Sequence, residues 1–317
     1  MNSKISKSAV STSNAYQPAF FYNSAREGMR DLLENVPLSE GGVLLPGFIG
    51  WSPREGSGVF DPVREAHIPY GFYSLNGDLS VDIDDLERRL EAGTFNVLVL
   101  IHYFGRTDPY LKRVRQLADA HGALLIEDLA HGFFTARGGG EAGRHGDASL
   151  FSLHKQFPLT DGGLVSYANP RLVSGQVETR PELASKVLSY DWRGIAKSRR
   201  RTFATLTSLL SDLPELDRKF KLLWPALDDH DVPQSLPVYI LGENRSQIYD
   251  RMNADGYGMV SLYHTLIPQL AGGFPSLVTL SRHILNFPVH QDVDHTLLVA
   301  MVESFRSHLG PPDEAAW

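Results

Sequence analysis

Residues 121–167 read HGALLIEDLAHGFFTARGGGEAGRHGDASLFSLHKQFPLTDGGLVSY, and three short apolar runs lie within them. The first, 123–127, turns acidic and meets Asp128. The second, 148–153, runs into His154 and Lys155. The third, 163–167, follows the paired glycines Gly162 and Gly163. Apolar runs of this length, bounded by glycine and polar residues, read as buried strands. A carboxylate and a lysine therefore each stand at the end of a core strand. Ligands of open α/β sheets bind outside the carboxyl ends of the strands.

The chain upstream supports that placement. Residues 43–46 form a short buried strand, and 68–79 an edge strand with a turn closed by Asn76-Gly77. Residues 82–90 read as a helix that opens with acids. Residues 96–103 are a solidly apolar strand with polar flanks, suited to a sheet covered on both faces. Residues 109–121 form a helix with proline in its first turn. This alternation of strand and helix, ending at Asp128, argues a parallel, doubly wound sheet. Gly138-Gly139-Gly140 does not pass directly from strand to helix, so it reads as a hairpin or flexible loop and not as a dinucleotide loop.

Downstream the pattern weakens. Residues 168–200 hold a loop and a helix. A further helix opens at Ser198 and runs to about Leu210; its Arg199-Arg200-Arg201 reads as a solvated or partner-facing surface. From about Leu236 a second, smaller α/β unit follows. Its strands are expected at 236–241, 259–263 and 286–289, and its helices at 245–255, 277–285 and 294–304. The expected organisation is an N-terminal arm over 1–19, a large domain over 20–195 and a small C-terminal domain over 196–317.

Composition bounds the function. The net charge of 30 − 37 = −7 argues against a polyanion partner such as nucleic acid. The absence of cysteine excludes disulfides and thiolate metal sites and fits a cytoplasmic protein. No apolar run is long enough to span a membrane. The polar start MNSKISKSAVSTSNAYQ lacks the apolar centre of a signal peptide.

The 121–167 stretch resembles the DegT/DnrJ/StrS sugar aminotransferases, fold type I enzymes that use pyridoxal 5′-phosphate (PLP). The family carries I-E-D-x-A-Q/H, then G-D-x-x-x-F-S, a lysine and a G-G turn. Here these are Ile126-Glu127-Asp128-Leu129-Ala130-His131, Gly146-Asp147, Phe151-Ser152, Lys155 and Gly162-Gly163. Weaker likenesses lie at Pro46-Gly47-Phe48, His102-Tyr103-Phe104-Gly105 and Phe287-Pro288-Val289-His290. From Ser152 to Lys155 is three positions where the family has five, whereas the spacing from Lys155 to the glycine pair is the usual one. A two-residue shortening before the lysine accounts for both.

The resemblance implies an α/β fold: a large domain with a seven-stranded, mostly parallel sheet, and a small C-terminal α/β domain. It implies PLP as cofactor and a homodimer with shared active sites. The implied reaction moves an amino group from glutamate or glutamine to a keto group of a nucleotide-linked sugar. Asp128 would hold the proton on the pyridine nitrogen. Lys155 would bind the cofactor covalently and then shuttle protons at the substrate's α-carbon. Ser152 would bind the phosphate, together with the helix N-terminus at Ser24-Ala25-Arg26, because unpaired first-turn amides favour an anion. Arg26 stands where the family commonly has threonine. The plain alternative for that turn is a capping box, with Ser24 as N-cap and Glu27 three residues on. His131 would lie near the cofactor's 3′-oxygen or support the ring. Trp51, with Phe48 as runner-up, would cover the ring face.

Three other readings compete. Some relatives put histidine in the lysine's place and act as sugar dehydratases, which gives His154 a stake in the register. The shortened loop, and the lack of the family's asparagine-containing partner-subunit segment, allow a PLP-fold sensor without catalysis. Finally, His102, His121, His131, His145 and His154 lie near Asp128 and Asp147, so a His/Asp metal site for hydrolysis is conceivable, although no tight ligand motif is present.

Overall fold

The computed structural model describes residues 18–36, 41–53, 56–173 and 180–310. Most of the expected N-terminal arm lies outside the described residues, as do Arg54 and Glu55. The large sheet is built from the first half of the chain. In order come β1 (Ala19–Tyr22), α1 (Ala25–Glu34), β2 (Gly42–Pro46), α2 (Phe60–Glu65), β3 (Tyr70–Tyr73), α3 (Ile83–Ala92), β4 (Phe95–Ile101) and α4 (Leu111–Ala120). Then follow β5 (Leu124–Asp128), α5 (Phe133–Arg137), β6 (Ala148–Ser152) and β7 (Gly163–Tyr167). The strand order is β1-β7-β6-β5-β4-β2-β3. From β3 through β6 the pairs are parallel, and β7 and β1 complete the sheet antiparallel.

Burial explains why these segments are strands. Every residue of β2, β6 and β7 is buried, as a sheet covered by helices on both faces requires. Helices α3 and α4 bury one stripe each, Asp85, Leu86 and Leu90 on the first and Leu111, Val114, Leu117 and Ala118 on the second. Asp82 caps α3 by accepting from the backbone N–H of Asp85 at 3.1 Å.

The second half adds α6 (Pro181–Leu188), α7 (Trp192–Ser211), β8 (Phe220–Leu222), β9 (Ser235–Ile240), α8 (Arg245–Ala254), α9 (Pro275–His283), β10 (Ile284–Pro288) and α10 (Leu298–His308). Its three strands form an antiparallel sheet in the order β10-β9-β8. Phe203, Leu206 and Leu210 of α7 join Phe220, Val238 and Phe287 in the core beneath that sheet. Trp192, Ile195 and Ala196, one end earlier, pack with Phe133 and Phe157 beside the large sheet. The expected division at 195/196 thus falls inside α7.

Four local expectations are corrected. Residues 259–263 are not a strand: a single bridge joins Val260 to Asn286, and the rest of the run is irregular. The helix expected over 277–285 ends at His283, and Ile284 and Leu285 already pair with β9. The helix expected from Ser198 begins at Trp192, where Asp191 caps it through the N–H of Gly194. Arg199, expected on a solvated face, is 2% exposed. It falls on the stripe that continues through Phe203, Leu206 and Leu210, so the helical period turns it inward.

Candidate active site

The site lies at the carboxyl ends of β4, β5 and β6. Asp128 is the last residue of β5, which pairs in parallel with β6. Strand β6 stops at Ser152, and Lys155 follows on a single 3-10 turn, 153–155, so it stands just past the strand and not on it. His131 sits in the turn between β5 and α5.

Successive residues of β5 point to opposite faces, so Glu127 and Asp128 have different tasks. Glu127 is fully buried. Its Oε1 accepts from the N–H groups of His145 (2.8 Å) and Gly146 (2.5 Å), and its Oε2 from Gly143 N–H (2.7 Å). His102 Nδ1 accepts from the N–H of Asp108 at 3.2 Å, so its Nε2 carries the proton and donates to Glu127 at 2.8 Å. Burial alone would push the Glu127 carboxyl up, but His102 and the amides hold it below the usual range. Glu127 therefore fixes the 143–146 loop and the floor under Asp128.

Asp128 is 2% exposed and accepts from Ala130 N–H at 2.8 Å. Burial raises its pKa; that hydrogen bond, Lys155 and His102 draw it back only in part. The Lys155 amine lies 3.3 Å from His131 Nε2. Burial, and then Lys155, push the His131 pKa well below its ordinary value, so the ring is neutral at pH 7. A buried carboxylate, an amine and a neutral imidazole are thus gathered at one strand edge.

The first turn of α1 reaches the same edge through the glycine pair. Leu153 N–H donates to Gly162 O at 2.9 Å, and Gly162 N–H donates to Asn23 O at 2.8 Å. Gly162 has a left-handed φ of +119°. At Gly163 an added Cβ would lie 2.3 Å from the carbonyl carbon of Ser24. Ser24 caps the helix, its Oγ accepting from Glu27 N–H at 3.2 Å, while the Glu27 carboxylate reaches one residue past the N-cap and accepts from Asn23 N–H at 3.1 Å. Ala25 opens the helix, and the Arg26 guanidinium lies 3.8 Å from Asp61 of α2. Ser152 is 2% exposed, with Oγ 3.3 Å from His154 Nδ1. Gly163→Ala is expected to push the α1 N-terminus away from Ser152. The overpacking should cost about 1–3 kcal/mol in a denaturant melt. An unchanged midpoint would show that the contact yields freely.

One residue at the site was missed. The Tyr263 ring packs at a tilt against His131 (centroids 5.9 Å apart) and Phe48 (5.8 Å), and its hydroxyl lies 3.5 Å from His131 Nε2. The segment carrying it is pinned to the loop after β2, where Trp51 N–H donates to Thr265 O and Ile267 N–H to Ile49 O, both at 3.0 Å. Gly50 permits the approach, since a Cβ there would meet the Tyr263 ring at 2.0 Å. Trp51 itself is 36% exposed, at the rim, and Phe48 is fully buried. The available signal was the aromatic inside 259–263, which was absorbed into an expected strand.

The parallel sheet with its antiparallel edge, and the carboxylate and lysine at the ends of adjacent strands, define an α/β protein with the fold type I architecture. Over 94% of its length the chain is similar in structure to a DegT DnrJ EryC1 StrS aminotransferase from Brucella abortus, covering 88% of that protein with a TM-score of 0.74 at 17% identity. A Bacillus subtilis protein, NtdA, solved with bound cofactor PMP, is similar over 93% of this chain and 74% of its own, with a TM-score of 0.74 at 16% identity. Residues 75–180 match the model of the DegT/DnrJ/EryC1/StrS aminotransferase family, so the resemblance read from the sequence holds over that segment. A GDP-perosamine synthase of Vibrio cholerae is 34% identical over 97 residues, 30% of this chain and 26% of that protein. Matched regions span between 16% and 28% of the curated relatives' lengths.

Proposed function

We propose that the chain is a PLP-dependent aminotransferase that moves an amino group from glutamate or glutamine to a keto group of a nucleotide-linked sugar, working in the cytoplasm as a homodimer. The observation that carries this reading is the placement of Asp128 and Lys155 beyond the ends of adjacent parallel strands, with His131 3.3 Å from the lysine amine. The donor set fits the cofactor. A buried carboxylate with a raised pKa suits a protonated pyridine nitrogen. The buried Ser152 hydroxyl and the first turn of α1, from Ser24 to Arg26, suit a phosphate.

When bound, the cofactor supplies an electron-withdrawing ring that accepts the electrons released as the α-proton leaves. The chain's residues do the rest. Asp128 holds the proton at the ring nitrogen, and its burial makes that pairing stronger than it would be in water. Lys155 would hold the cofactor covalently through its amine and, when that amine is free, would take a proton from the substrate's α-carbon and return it. His131 stays neutral, so it orients the lysine without competing for charge. Tyr263 and Phe104 both pack against the His131 ring and fix its orientation.

Two observations weigh against the rival readings. The His154 side chain is exposed and touches Ser152, whereas the lysine amine faces His131, which favours the register with Lys155 as nucleophile. Among the described residues no group of three or more His, Asp or Glu is arranged to hold a metal, so the hydrolase reading gains no support. No helix among them is long and apolar enough to cross a membrane.

The test is spectroscopic. Protein incubated with PLP is expected to absorb in the visible and to lose that band on borohydride reduction, with the added mass on a peptide containing Lys155. A protein that stays colourless with added PLP overturns the reading.

A further inference from the structure

Arg199 is the largest fully buried side chain among the described residues, and its guanidinium is held by neutral acceptors. Its Nη2 donates to Gln156 O at 3.3 Å. Its Nη1 donates to Gln234 Oε1 at 3.0 Å and Pro233 O at 3.4 Å, and its Nε to Gln291 Oε1 at 3.2 Å. The ring of Phe134 lies under it at 5.6 Å. Burial lowers the Arg199 pKa to about 10, so the group is still charged at neutral pH. A cation is seldom placed in such surroundings unless its fork sets a geometry.

The geometry it sets is that of the lysine turn. Gln234 Nε2 donates to Lys155 O at 3.1 Å, and Gln234 Oε1 also accepts from Gln156 Nε2 at 2.5 Å. Arg199 therefore orients Gln234 and holds Gln156 directly, so both carbonyls of the 155–156 step are tied down. The strap carrying Gln234 is fixed in turn to the neighbouring strand ends. Gln234 N–H donates to Phe104 O at 2.7 Å, Val232 N–H to Thr135 Oγ1 at 2.9 Å, and Thr107 N–H to Asp231 Oδ1 at 3.0 Å.

We propose that Arg199 and Gln234 are positioning residues that hold the backbone of Lys155 and Gln156 so that the lysine amine stays at His131. The clamp runs from α7 and the strap before β9, so the position of Lys155 is set from outside its own shortened loop. The functional meaning of that position rests on the aminotransferase reading, but the positioning itself is measurable without cofactor.

The experiment compares wild type with Arg199→Met, Arg199→Lys and Gln234→Leu. Arg245→Met serves as control, since Arg245 is also buried and bonded to carbonyls, those of Ser281 and Arg282, at another place in the fold. The first readout is reductive methylation of the cofactor-free protein with formaldehyde and cyanoborohydride, followed at each lysine by mass spectrometry. Relative to the exposed Lys186, the Lys155 rate is expected to rise about fivefold in Arg199→Met and Gln234→Leu. Arg199→Lys should recover part of the wild-type rate, and Arg245→Met all of it. The second readout is capture of PLP, expected to slow about tenfold in the same two variants. A Lys155 rate unchanged in folded Arg199→Met and Gln234→Leu, or raised equally by Arg245→Met, overturns the proposal. If wild type captures no PLP while the methylation pattern holds, the aminotransferase reading falls and the clamp stands.

Discussion

Lys155→Ala is expected to abolish covalent capture of PLP and to slow transfer of the amino nitrogen from glutamate by about 10³-fold, the range that loss of a positioned acid–base group produces. The cofactor should still bind, held by Asp128, Ser152 and the first turn of α1, but borohydride should fix none of it to the chain. The lysine contributes two distinct things: a nucleophilic nitrogen, and a base placed at the strand edge. Lys155→Arg should fail as completely, because a guanidinium stays protonated and attacks nothing. His154→Ala should still capture cofactor covalently, since the exposed His154 side chain reaches Ser152 and it is the Lys155 amine that stands at His131. Stopped-flow absorbance with glutamate decides between the registers. A wild-type rate in Lys155→Ala would overturn the assignment of Lys155, and no transfer in the wild type with glutamate or glutamine would revive the dehydratase or sensor reading.

Asp128→Asn should separate stability from function. Burial raises the Asp128 pKa in the folded state. Below about pH 3.9, the ordinary aspartate value, the carboxyl is protonated both folded and unfolded and burial costs little. As pH rises past that value, the unfolded chain releases a proton that the folded chain retains, so stability falls. The loss is complete once pH exceeds the raised folded value. Asparagine removes this penalty while keeping an acceptor for Ala130 N–H. The cofactor-free variant should therefore melt higher than wild type at pH 7, by about 2–4 °C for each kcal/mol regained, and should match it near pH 3.5. Amino transfer should nevertheless drop by about 10²–10³-fold, since a neutral amide cannot hold the charged ring nitrogen. A variant that melts lower at pH 7 would mean that Lys155 stabilises the carboxylate more than burial penalises it. Unimpaired transfer would remove Asp128 from the proposed site.

The local sequence determined the elements whose signals are local. Residues 96–103 and 123–128 are apolar for long enough, and closely enough bounded, to be core strands whatever surrounds them. Asp82 and Ser24 cap helices through contacts only three residues away. Asp128 and Lys155 were legible as strand-end chemistry because their apolar neighbours leave a charged group no other exit. The helix cap at Ser24 and the proposed anion site there use the same turn, so the sequence could name the turn without deciding its task.

Tertiary structure decided what depends on distant partners. Residues 259–263 have a strand's composition, but only Val260 reaches the edge of β10, and Asn286 uses its side chain on Leu262 O, 2.5 Å away. An apolar run becomes a strand only where a free sheet edge accepts it. The segment instead carries Tyr263 over Gly50 to His131, a contact between residues 132 positions apart. Arg199 reads as surface in a triple-arginine run because charge patterning ignores which face a helix buries. It is turned inward by the period it shares with Phe203, Leu206 and Leu210, and it is tolerated there because Gln156, Pro233, Gln234 and Gln291 converge on it from three separate stretches. Such convergence is a property of the packed chain: each acceptor alone is unremarkable in sequence, and only folding brings them within hydrogen-bond distance of one guanidinium.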